Sequence, residues 1–364
     1  MITVLFHLHH LYYLPQFLPV AQAMERDGNF KVFYSTVIDN SRNDHKWTCK
    51  IIGDLGGNFI TAESEKERIE KILKPNFDVV VFGKSGGAEK YCNPSALAVL
   101  LYHGIGVKKC YYTDYNPRID VRYIESQYRL DELRRRGIMT ELVVTGFPKL
   151  DLLGDRTARE QYFEKYRLHN NRPTILYAPT FYPSSIEVFG EILAEQTRDF
   201  NLLVKLHHFA WLMKKYHHQR ELWQVLSQKY EHVRLVPVEE YNIVPFFSCS
   251  DVLLTEASST AFEYLATGKP VIVADFVKLR WKHRLFRKSF ERRRLDATII
   301  DELDFAYHLE KPHELGKVLQ AALSDSQNKK ALISLKRDLL LGTVDGKAAA
   351  RVITDLKQRL QARR

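Results

Sequence analysis

The sequence contains few cysteines, and they form no recognisable pattern. The four cysteines among 364 residues include no Cys-x-x-Cys pair and no spacing typical of metal ligands. This argues against a disulfide framework and suits a reducing compartment. No apolar run approaches the roughly 20 residues of a membrane-spanning helix, and the first residues carry no charged-then-apolar signal pattern. We therefore predict a cytoplasmic protein.

The chain also lacks internal repeats, low-complexity tracts and an Asp-x-Asp metal motif. Hydrophobic residues make up 45% and charged residues 27% of the chain, which is typical of globular proteins and excludes an extensively disordered one. A chain of 364 residues favours two domains, each large enough for its own core.

Predicted strands alternate with predicted helices along the whole chain, which indicates an α/β protein with parallel sheets. A first series of strands ends near residue 145, and a second series begins at Thr174. We predict an N-terminal Rossmann-like domain over 1–155, a C-terminal Rossmann-like domain over 156–345, and a last helix over 346–364 that packs back on the first domain. The predicted strands are Ile2–Phe6, Lys31–Ser35, Asp78–Phe82, Tyr123–Ile124, Leu142–Thr145, Thr174–Ala178, Leu202–Leu206, Val233–Pro237, Val252–Leu254 and Val271–Ala274; the predicted helices include Pro15–Arg26, Glu63–Leu73, Ser95–Leu101 and Ser126–Arg136.

The most informative segment runs from Ser250 to Asp275 and contains a strand, a turn of small polar residues, a helix closed by Gly268 and a second strand. Ser258 and Ser259 occupy N-cap positions, so the free amides of the first helical turn face the carboxyl end of the strand. Such a turn can hold an anion, and ligands of open α/β sheets bind at this edge. An ordinary βαβ unit with a serine cap would show the same pattern.

Two further segments place titratable groups at the ends of apolar runs. His103 follows an apolar run and precedes two glycines, where an imidazole can approach a substrate as a general base or simply cap a turn. Lys205 and His207 share one face at the end of a predicted strand, where they suit a pyrophosphate but also suit solvent. Thr180 lies in the turn after the strand that begins at Thr174.

Most of the net charge of +10 is concentrated between Lys278 and Arg294, hereafter the basic segment. It holds nine Lys or Arg and one acid, and as one helix its apolar residues fall on two sides. The segment predicts a surface for anionic lipid or an anionic polymer, although a solvated loop has the same composition. No motif supports nucleic-acid binding. The predicted contact residues are Lys278, Arg280, Lys282, Arg284, Arg287 and Lys288.

Five segments in the same order resemble the CDP-glycerol glycerophosphotransferases, the teichoic-acid primase and polymerase family. They are His103–Lys108, Thr145–Asp151, Leu176–Phe181, Lys205–His207 and Thr255–Pro270. The resemblance implies a GT-B fold, in which two Rossmann-like domains face each other across a central cleft. It also implies transfer of an alditol phosphate from a CDP-alditol to a hydroxyl group.

Carried onto this chain, the resemblance implies that His103 and His207 are the catalytic histidines. The predicted donor-binding residues are Lys205, Ser258 and Ser259 in the turn, and Glu263 on the nucleotide side. Thr180 and Thr255 are also predicted to bind the donor. Glu256 and Glu263 stand where the family usually has aspartate, and Ala257 replaces an aromatic residue. These departures leave the donor's identity open.

The function that the resemblance implies is transfer of glycerol phosphate to a cell-envelope glycan or a lipid-linked acceptor, with release of CMP. We expect no cofactor, no essential metal and no nucleic-acid partner. The expected partners are the nucleotide-activated donor, the acceptor and an anionic membrane surface on the inner face of the plasma membrane. Two alternatives stay open: a GT-B nucleotide-sugar glycosyltransferase or UDP-sugar epimerase, and a non-catalytic protein that binds an anionic polymer.

Overall fold

The computed structural model describes residues 1–38, 44–154, 156–324 and 328–363. The chain divides into two compact units: the first comprises Met1–Gly104, Cys110–Leu152 and Leu340–Arg364, and the second comprises Ile105–Lys109 and Leu153–Leu339. Asp155, the last residue of the predicted N-terminal domain, lies outside the described residues. No sequence pattern had indicated that the short segment Ile105–Lys109 belongs to the second unit.

The first unit contains a parallel sheet of seven strands in the order β3-β2-β1-β4-β5-β6-β7. Every residue of β4 and β5 is buried, because helices cover both faces of a parallel sheet. The predicted α/β class with parallel sheets is confirmed here. The strands are β1 (Ile2–Leu8), β2 (Phe30–Thr36), β3 (Asn58–Phe59), β4 (Val79–Phe82), β5 (Leu97–Leu101), β6 (Val121–Ile124) and β7 (Glu141–Val144).

The prediction of a helix over Ser95–Leu101 was wrong, because Leu97–Leu101 forms strand β5 between β4 and β6. A short, continuous apolar run has no periodicity that separates a buried helix from a strand buried on both faces. Its five residues pair with neighbours on both sides, which satisfies the backbone inside the core.

Three helices of the first unit, α1, α3 and α5, overlap predicted helices and have recognisable start or stop residues. Helix α1 has a proline in its first turn and ends at Gly28, whose φ of 75° is left-handed. Ser64 and Ser126 cap α3 and α5 by accepting a hydrogen bond from an amide three residues on. These helices are α1 (Leu14–Asp27), α2 (Asp44–Asp54), α3 (Glu65–Leu73), α4 (Cys110–Thr113) and α5 (Gln127–Arg135).

The second unit contains a parallel sheet of six strands in the order β10-β9-β8-β11-β12-β13. Its strands are β8 (Thr174–Tyr177), β9 (Asn201–Val204), β10 (Val233–Leu235), β11 (Val252–Thr255), β12 (Val271–Ala274) and β13 (Tyr307–Leu309). Its helices are α6 (Arg156–Lys165), α7 (Ile186–Phe189), α8 (Ile192–Gln196), α9 (Phe209–Leu212), α10 (His217–Lys229), α11 (Val244–Cys249), α12 (Ser259–Tyr264), α13 (Trp281–Leu285), α14 (Arg287–Arg294), α15 (Ala297–Ile300), α16 (Leu315–Ser324) and α17 (Asn328–Leu341).

The C-terminal helix α18 (Ala348–Ala362) packs in the first unit. Asp151 accepts hydrogen bonds from the amides of Ala348 and Ala349 at 3.1 and 2.8 Å, so it caps the start of this helix. Asp355 accepts a hydrogen bond of 2.7 Å from the Tyr123 hydroxyl on strand β6. One residue of the Thr145–Asp151 motif therefore has a structural role in helix attachment.

Candidate functional site

His103 lies just beyond strand β5 in the first unit, and its ring is held in one tautomer. Its Nδ1 lies 2.8 Å from the carbonyl oxygen of Gly83. Because a carbonyl can only accept, Nδ1 must carry the proton and donate it. The lone pair of the ring is therefore on Nε2, which is the arrangement that a general base requires.

Aromatic side chains hold the plane of the His103 ring. Tyr13 stacks on it with the ring centroids 4.4 Å apart and an angle of 13° between the planes. A Cβ atom at Gly83 would lie 2.3 Å from Cδ2 of Tyr13, so only glycine allows this ring to approach the backbone. Gly83 thus admits the stacking partner of His103 and supplies the carbonyl that sets its tautomer.

The predicted donor residues lie at one edge of the second sheet. Thr180, Lys205 and Ser258 follow β8, β9 and β11, and these three strands are neighbours in the sheet. Strand β9 ends at Val204, so the prediction of Lys205 within a strand was wrong, and Lys205 and His207 both lie in the loop after the strand. The structure therefore brings these residues together at the sheet edge where α/β proteins bind ligands.

The turn after β11 uses one of its two serines internally. Thr255 is fully buried and donates its hydroxyl hydrogen to the carbonyl of Ala178 at 2.7 Å. The Ser258 hydroxyl lies 3.1 Å from the same Thr255 oxygen and must donate to it, because Thr255 has no second proton. Ser258 precedes α12 but makes no side-chain cap, whereas Ser259 is partly exposed. Ser259 is therefore the serine whose hydroxyl can donate to a ligand.

Glu256 is buried beside this turn and organises the loop that follows β8. Its Oε1 accepts hydrogen bonds from the amide and hydroxyl of Ser185 at 2.7 and 2.6 Å, and its Oε2 accepts one from the Thr180 amide at 2.7 Å. Burial raises the pKa of Glu256 to about 7, although these hydrogen bonds act in the opposite direction. From the sequence this glutamate was noted only as a departure from the family pattern, and no local signal indicated its hydrogen bonds to Thr180 and Ser185.

His207 has the tautomer opposite to that of His103. The Phe209 amide donates to His207 Nδ1 at 3.2 Å, so the neutral ring carries its proton on Nε2. The ring of Phe181, in the loop held by Glu256, lies 4.7 Å from that of His207. His207 is thus arranged to donate a hydrogen bond rather than to accept a proton.

Two predicted donor residues point their polar groups into the protein. The Thr180 hydroxyl donates to the carbonyl of Pro183 within its own loop. Glu263 is only 1% exposed and lies within α12. A contact between Glu263 and a nucleotide stays a prediction.

The basic segment forms two short helices instead of one. Helices α13 and α14 are separated at Phe286, so a single helical wheel does not describe the segment. Leu279 and Phe290 are buried, whereas Trp281, Leu285 and Phe286 are 67%, 65% and 66% exposed. Three large apolar side chains therefore project among the cations. Of the predicted contact residues, Lys278, Arg280, Lys282, Arg284 and Lys288 are exposed, and the Arg287 side chain lies outside the described part of the chain.

The described residues contain neither a membrane-spanning helix nor a cluster of metal ligands. In the described residues (1–38, 44–154, 156–324 and 328–363), no helix combines the length and the apolar character that crossing a bilayer requires. Within the same residues, no three His, Cys, Asp or Glu side chains form a group that could hold a metal ion.

Comparison with known proteins assigns the family. The family model for CDP-glycerol:poly(glycerophosphate) glycerophosphotransferase matches residues 134–357, which include Lys205, His207 and the Thr255–Ser259 turn. The chain belongs to this family.

Two curated relatives resemble part of the chain. One is a teichoic acid poly(ribitol-phosphate) polymerase of Bacillus spizizenii, 26% identical over 157 residues, which are 38% of this chain and 24% of that protein. The other is a teichoic acid poly(glycerol phosphate) polymerase of Staphylococcus epidermidis, 29% identical over 159 residues, which are 42% of this chain and 21% of that protein. The match thus spans less than a quarter of each relative's length.

Solved structures confirm the GT-B class of the fold. A variant of the wall teichoic acid polymerase TagF, soaked with CDPG, matches with a TM-score of 0.70 at 15% identity, covering 99% of this chain and 89% of that one. The Neisseria meningitidis UDP-GlcNAc 2-epimerase, bound to UDP-GlcNAc, matches with a TM-score of 0.62 at 13% identity, covering 98% of this chain and all of that one. At such identities the likeness concerns the fold alone.

The raised pKa of Glu256 predicts a dependence of stability on pH. A carboxyl group whose pKa is higher in the folded than in the unfolded chain stabilises the fold at low pH, and this contribution is lost as pH rises through the folded value of about 7. From an ordinary value of 4.5, that shift corresponds to about 3 kcal/mol. We expect the free-energy cost of Glu256→Gln, measured by denaturant unfolding, to shrink by up to this amount between about pH 5 and pH 8.

The matched control is Glu239→Gln, because Glu239 is exposed. The stability difference between this variant and the wild type should stay constant over the same pH range. If the cost of Glu256→Gln were equally constant, the carboxyl of Glu256 would not titrate as its burial indicates.

Proposed function

We propose that the chain transfers glycerol phosphate from CDP-glycerol to a hydroxyl of a cell-envelope glycan or a lipid-linked acceptor and releases CMP. The observation that carries this proposal is the family match over 134–357, which includes the second-unit residues Lys205, His207, Ser258 and Ser259. The names of the curated relatives, polymerases of ribitol phosphate and of glycerol phosphate, support an alditol phosphate as the transferred group.

In this proposal His103 activates the acceptor. Its Nε2 removes the proton from the acceptor hydroxyl, whose oxygen attacks the β-phosphorus of the donor. The bond between that phosphorus and the bridging oxygen breaks, and CMP leaves with the bond's electrons. Acid–base assistance of this kind contributes about 10²–10⁴-fold to a rate, and the hydrogen bond to Gly83 keeps Nε2 available for it.

The second-unit residues stabilise charge on the donor. The Lys205 ammonium, Nε2–H of His207 and the Ser259 hydroxyl are suited to the phosphate oxygens, on which charge develops as the bond to CMP breaks. With these cations and donors the proposed mechanism uses no divalent ion and no cofactor. Activity that persists in a strong chelator is the expected result.

A donor assay separates this function from its alternatives. The purified chain is incubated with CDP-glycerol, CDP-ribitol or UDP-GlcNAc in the presence of acceptor, and release of CMP or UDP is measured. CMP release from CDP-glycerol supports the proposal, whereas release only from CDP-ribitol changes the alditol. Turnover of UDP-GlcNAc alone would indicate a nucleotide-sugar enzyme, and no turnover of any donor would favour a binding protein.

We also propose that the basic segment attaches the chain to an anionic bilayer, which would place it on the inner face of the plasma membrane. The exposed cations supply attraction of about 1 kcal/mol for each residue near the surface. Trp281, Leu285 and Phe286 supply apolar groups that can enter the interface, because they are about two-thirds exposed. This pairing of charge with exposed apolar side chains favours a bilayer over a soluble anionic polymer.

Liposome sedimentation tests this attachment. We expect the chain to sediment with phosphatidylglycerol vesicles and not with neutral vesicles, and to be released by salt, because the field is screened within about 8 Å at physiological ionic strength. Reversing the charges of Lys278, Lys282, Arg284 and Lys288 should abolish sedimentation. Replacing Trp281, Leu285 and Phe286 by serine should weaken it at every salt concentration.

Reversal of four exposed cations outside the segment, at Lys31, Lys46, Lys66 and Lys317, is the control and should leave sedimentation unchanged. Equal recovery with neutral vesicles would rule out electrostatic attachment. If the variant with serine in place of Trp281, Leu285 and Phe286 still bound vesicles fully, and the chain also bound soluble polyanions, the basic segment would be a binding surface for an anionic polymer.

A further inference from the structure

The loop after strand β4, Gly83–Gly87, is braced by hydrogen bonds, and only its first residue, Gly83, has a role in the site described above. The Ser85 amide and hydroxyl both donate to the carboxylate of Asp114 at 2.8 Å, and the Asn116 side chain donates to the Ser85 carbonyl at 3.1 Å. Two residues distant in sequence therefore brace this loop, which we call the glycine loop. Such bracing costs conformational entropy and indicates a precise backbone geometry.

The centre of the glycine loop is a tight turn with available amides. The Ala88 amide donates to the Ser85 carbonyl at 3.1 Å, and Gly87 has a φ of 79° and a ψ of 12°, as in a type II turn. Throughout 1–38, 44–154, 156–324 and 328–363, no protein group accepts a hydrogen bond from the amides of Gly86 or Gly87. Successive backbone amides in a turn form a concavity suited to an anion.

The glycine loop lies at the same sheet edge as His103. Strands β1, β4 and β5 are parallel neighbours, and His9, Lys84 and His103 follow their carboxyl ends by one or two residues. The Tyr13 ring is centred 4.4 Å from that of His103 and 6.1 Å from that of His9. The Gly83 carbonyl, which orients His103, immediately precedes Lys84.

The neighbouring histidines contain buried nitrogens without a protein partner. Arg68 donates to His7 Nδ1 at 3.2 Å, so Nε2 of His7 carries a proton; this atom and Nδ1 of His9 are buried and make no hydrogen bond within the described chain. Burial and then the Lys84 ammonium lower the pKa of His9 to about 2. The acid beside them, Glu65, is paired with Arg68. Buried polar groups are normally satisfied, so these atoms indicate a missing partner.

We propose that the glycine loop, Lys84 and His9 bind a phosphate group of the acceptor next to His103. The inference rests on the proposed function, in which an acceptor hydroxyl must reach Nε2 of His103. In an alditol phosphate chain, the terminal hydroxyl lies a few bonds from a phosphate. Lys84 and the loop amides hold that phosphate, and the hydroxyl then lies at His103. A phosphodiester of a soluble polymer and the diphosphate of a lipid-linked acceptor offer the same group.

Calorimetric binding of inorganic phosphate and of glycerol 3-phosphate to the full chain tests the site without turnover. We expect Lys84→Met and His9→Gln each to weaken phosphate binding by about tenfold or more, as loss of a charge-assisted partner should. The control Lys90→Met removes an exposed cation six residues further along and should bind as the wild type does. Ser258→Ala/Ser259→Ala, which alters the predicted donor site, should keep this phosphate site.

The site would be overturned if phosphate did not bind the wild type, if Lys84→Met bound as the wild type did, or if the serine variant lost all phosphate binding. Should His9→Gln not fold, Lys84→Met decides alone, because Lys84 is partly exposed. Competition by a soluble glycerol phosphate oligomer or by a short polyprenyl diphosphate identifies the source, and competition by neither would also overturn the site. Absence of CMP release from every donor would refute the proposed function and leave these binding results interpretable.

Discussion

His103→Ala is expected to reduce CMP release from CDP-glycerol by at least about 10²-fold while the protein stays folded. The variant removes Nε2, the ring nitrogen that stays unprotonated in the neutral ring when Nδ1 donates to the Gly83 carbonyl. His103 is partly exposed, so loss of its ring leaves most of the aromatic packing around Tyr13 in place. The measurement is the initial rate of release at saturating donor and acceptor, together with a thermal unfolding curve.

A conservative variant separates the chemical role of His103 from its packing. In His103→Asn the side-chain amide nitrogen takes the place of Nδ1 and can still donate to the Gly83 carbonyl, but the residue has no basic nitrogen, so we expect the same loss of rate. His218→Ala, which removes an exposed histidine paired with Glu187, is the control and should keep the wild-type rate. A rate above about a tenth of the wild type in both His103 variants would show that another group is the base.

Replacing Ser258 and Ser259 together by alanine is expected to weaken the binding of CMP-containing donor by about 1–3 kcal/mol, the cost of lost hydrogen bonds to a charged group. We expect most of this effect from Ser259, because the Ser258 proton is already donated to Thr255 at 3.1 Å. Ser259→Ala alone should therefore come close to the double variant. Titration calorimetry with CDP-glycerol measures the three affinities.

The control for the serine variants is Ser227→Ala, whose hydroxyl donates to the Gln224 carbonyl on helix α10. It should bind the donor as the wild type does. Equal donor affinity in the wild type and the double variant would show that the donor phosphates do not bind at this turn. A large effect of Ser258→Ala alone would mean that the hydrogen bond to Thr255 breaks when the donor binds.

Local sequence signals predicted most of the fold. Strand β12 has the predicted bounds, and α1 ends at Gly28 because a left-handed residue is cheapest at glycine. The failures have physical causes. Strand β5 was predicted as a helix because a short apolar run buried on both faces has no period. Strand β3 contains only two residues, too few for a pattern to emerge, and the three-residue strand β13 was also missed.

The candidate site, like the fold, was predicted from the sequence only in part. Lys205 and Ser258 were recognisable from the sequence because each lies at or just after a predicted strand, and parallel strands bring their carboxyl ends to one edge of the second sheet. His103 was recognisable as a titratable residue after an apolar run, although that run was predicted as a helix. The role of Glu256 was not recognisable, because its three donors come from Thr180 and Ser185, more than 70 residues away along the chain.

The sequence by itself determined the α/β class, the approximate strand positions, the family resemblance and the concentration of charge in the basic segment, because each depends on residue order over short windows. Only the tertiary structure decided which nitrogen of His103 and of His207 carries the proton, since contacts with Gly83 and Phe209 set the tautomers. It also decided that Glu256 is buried, and that Trp281 is exposed while Phe290 is not. These properties depend on packing between segments that are distant in the sequence, and local periodicity does not predict such packing.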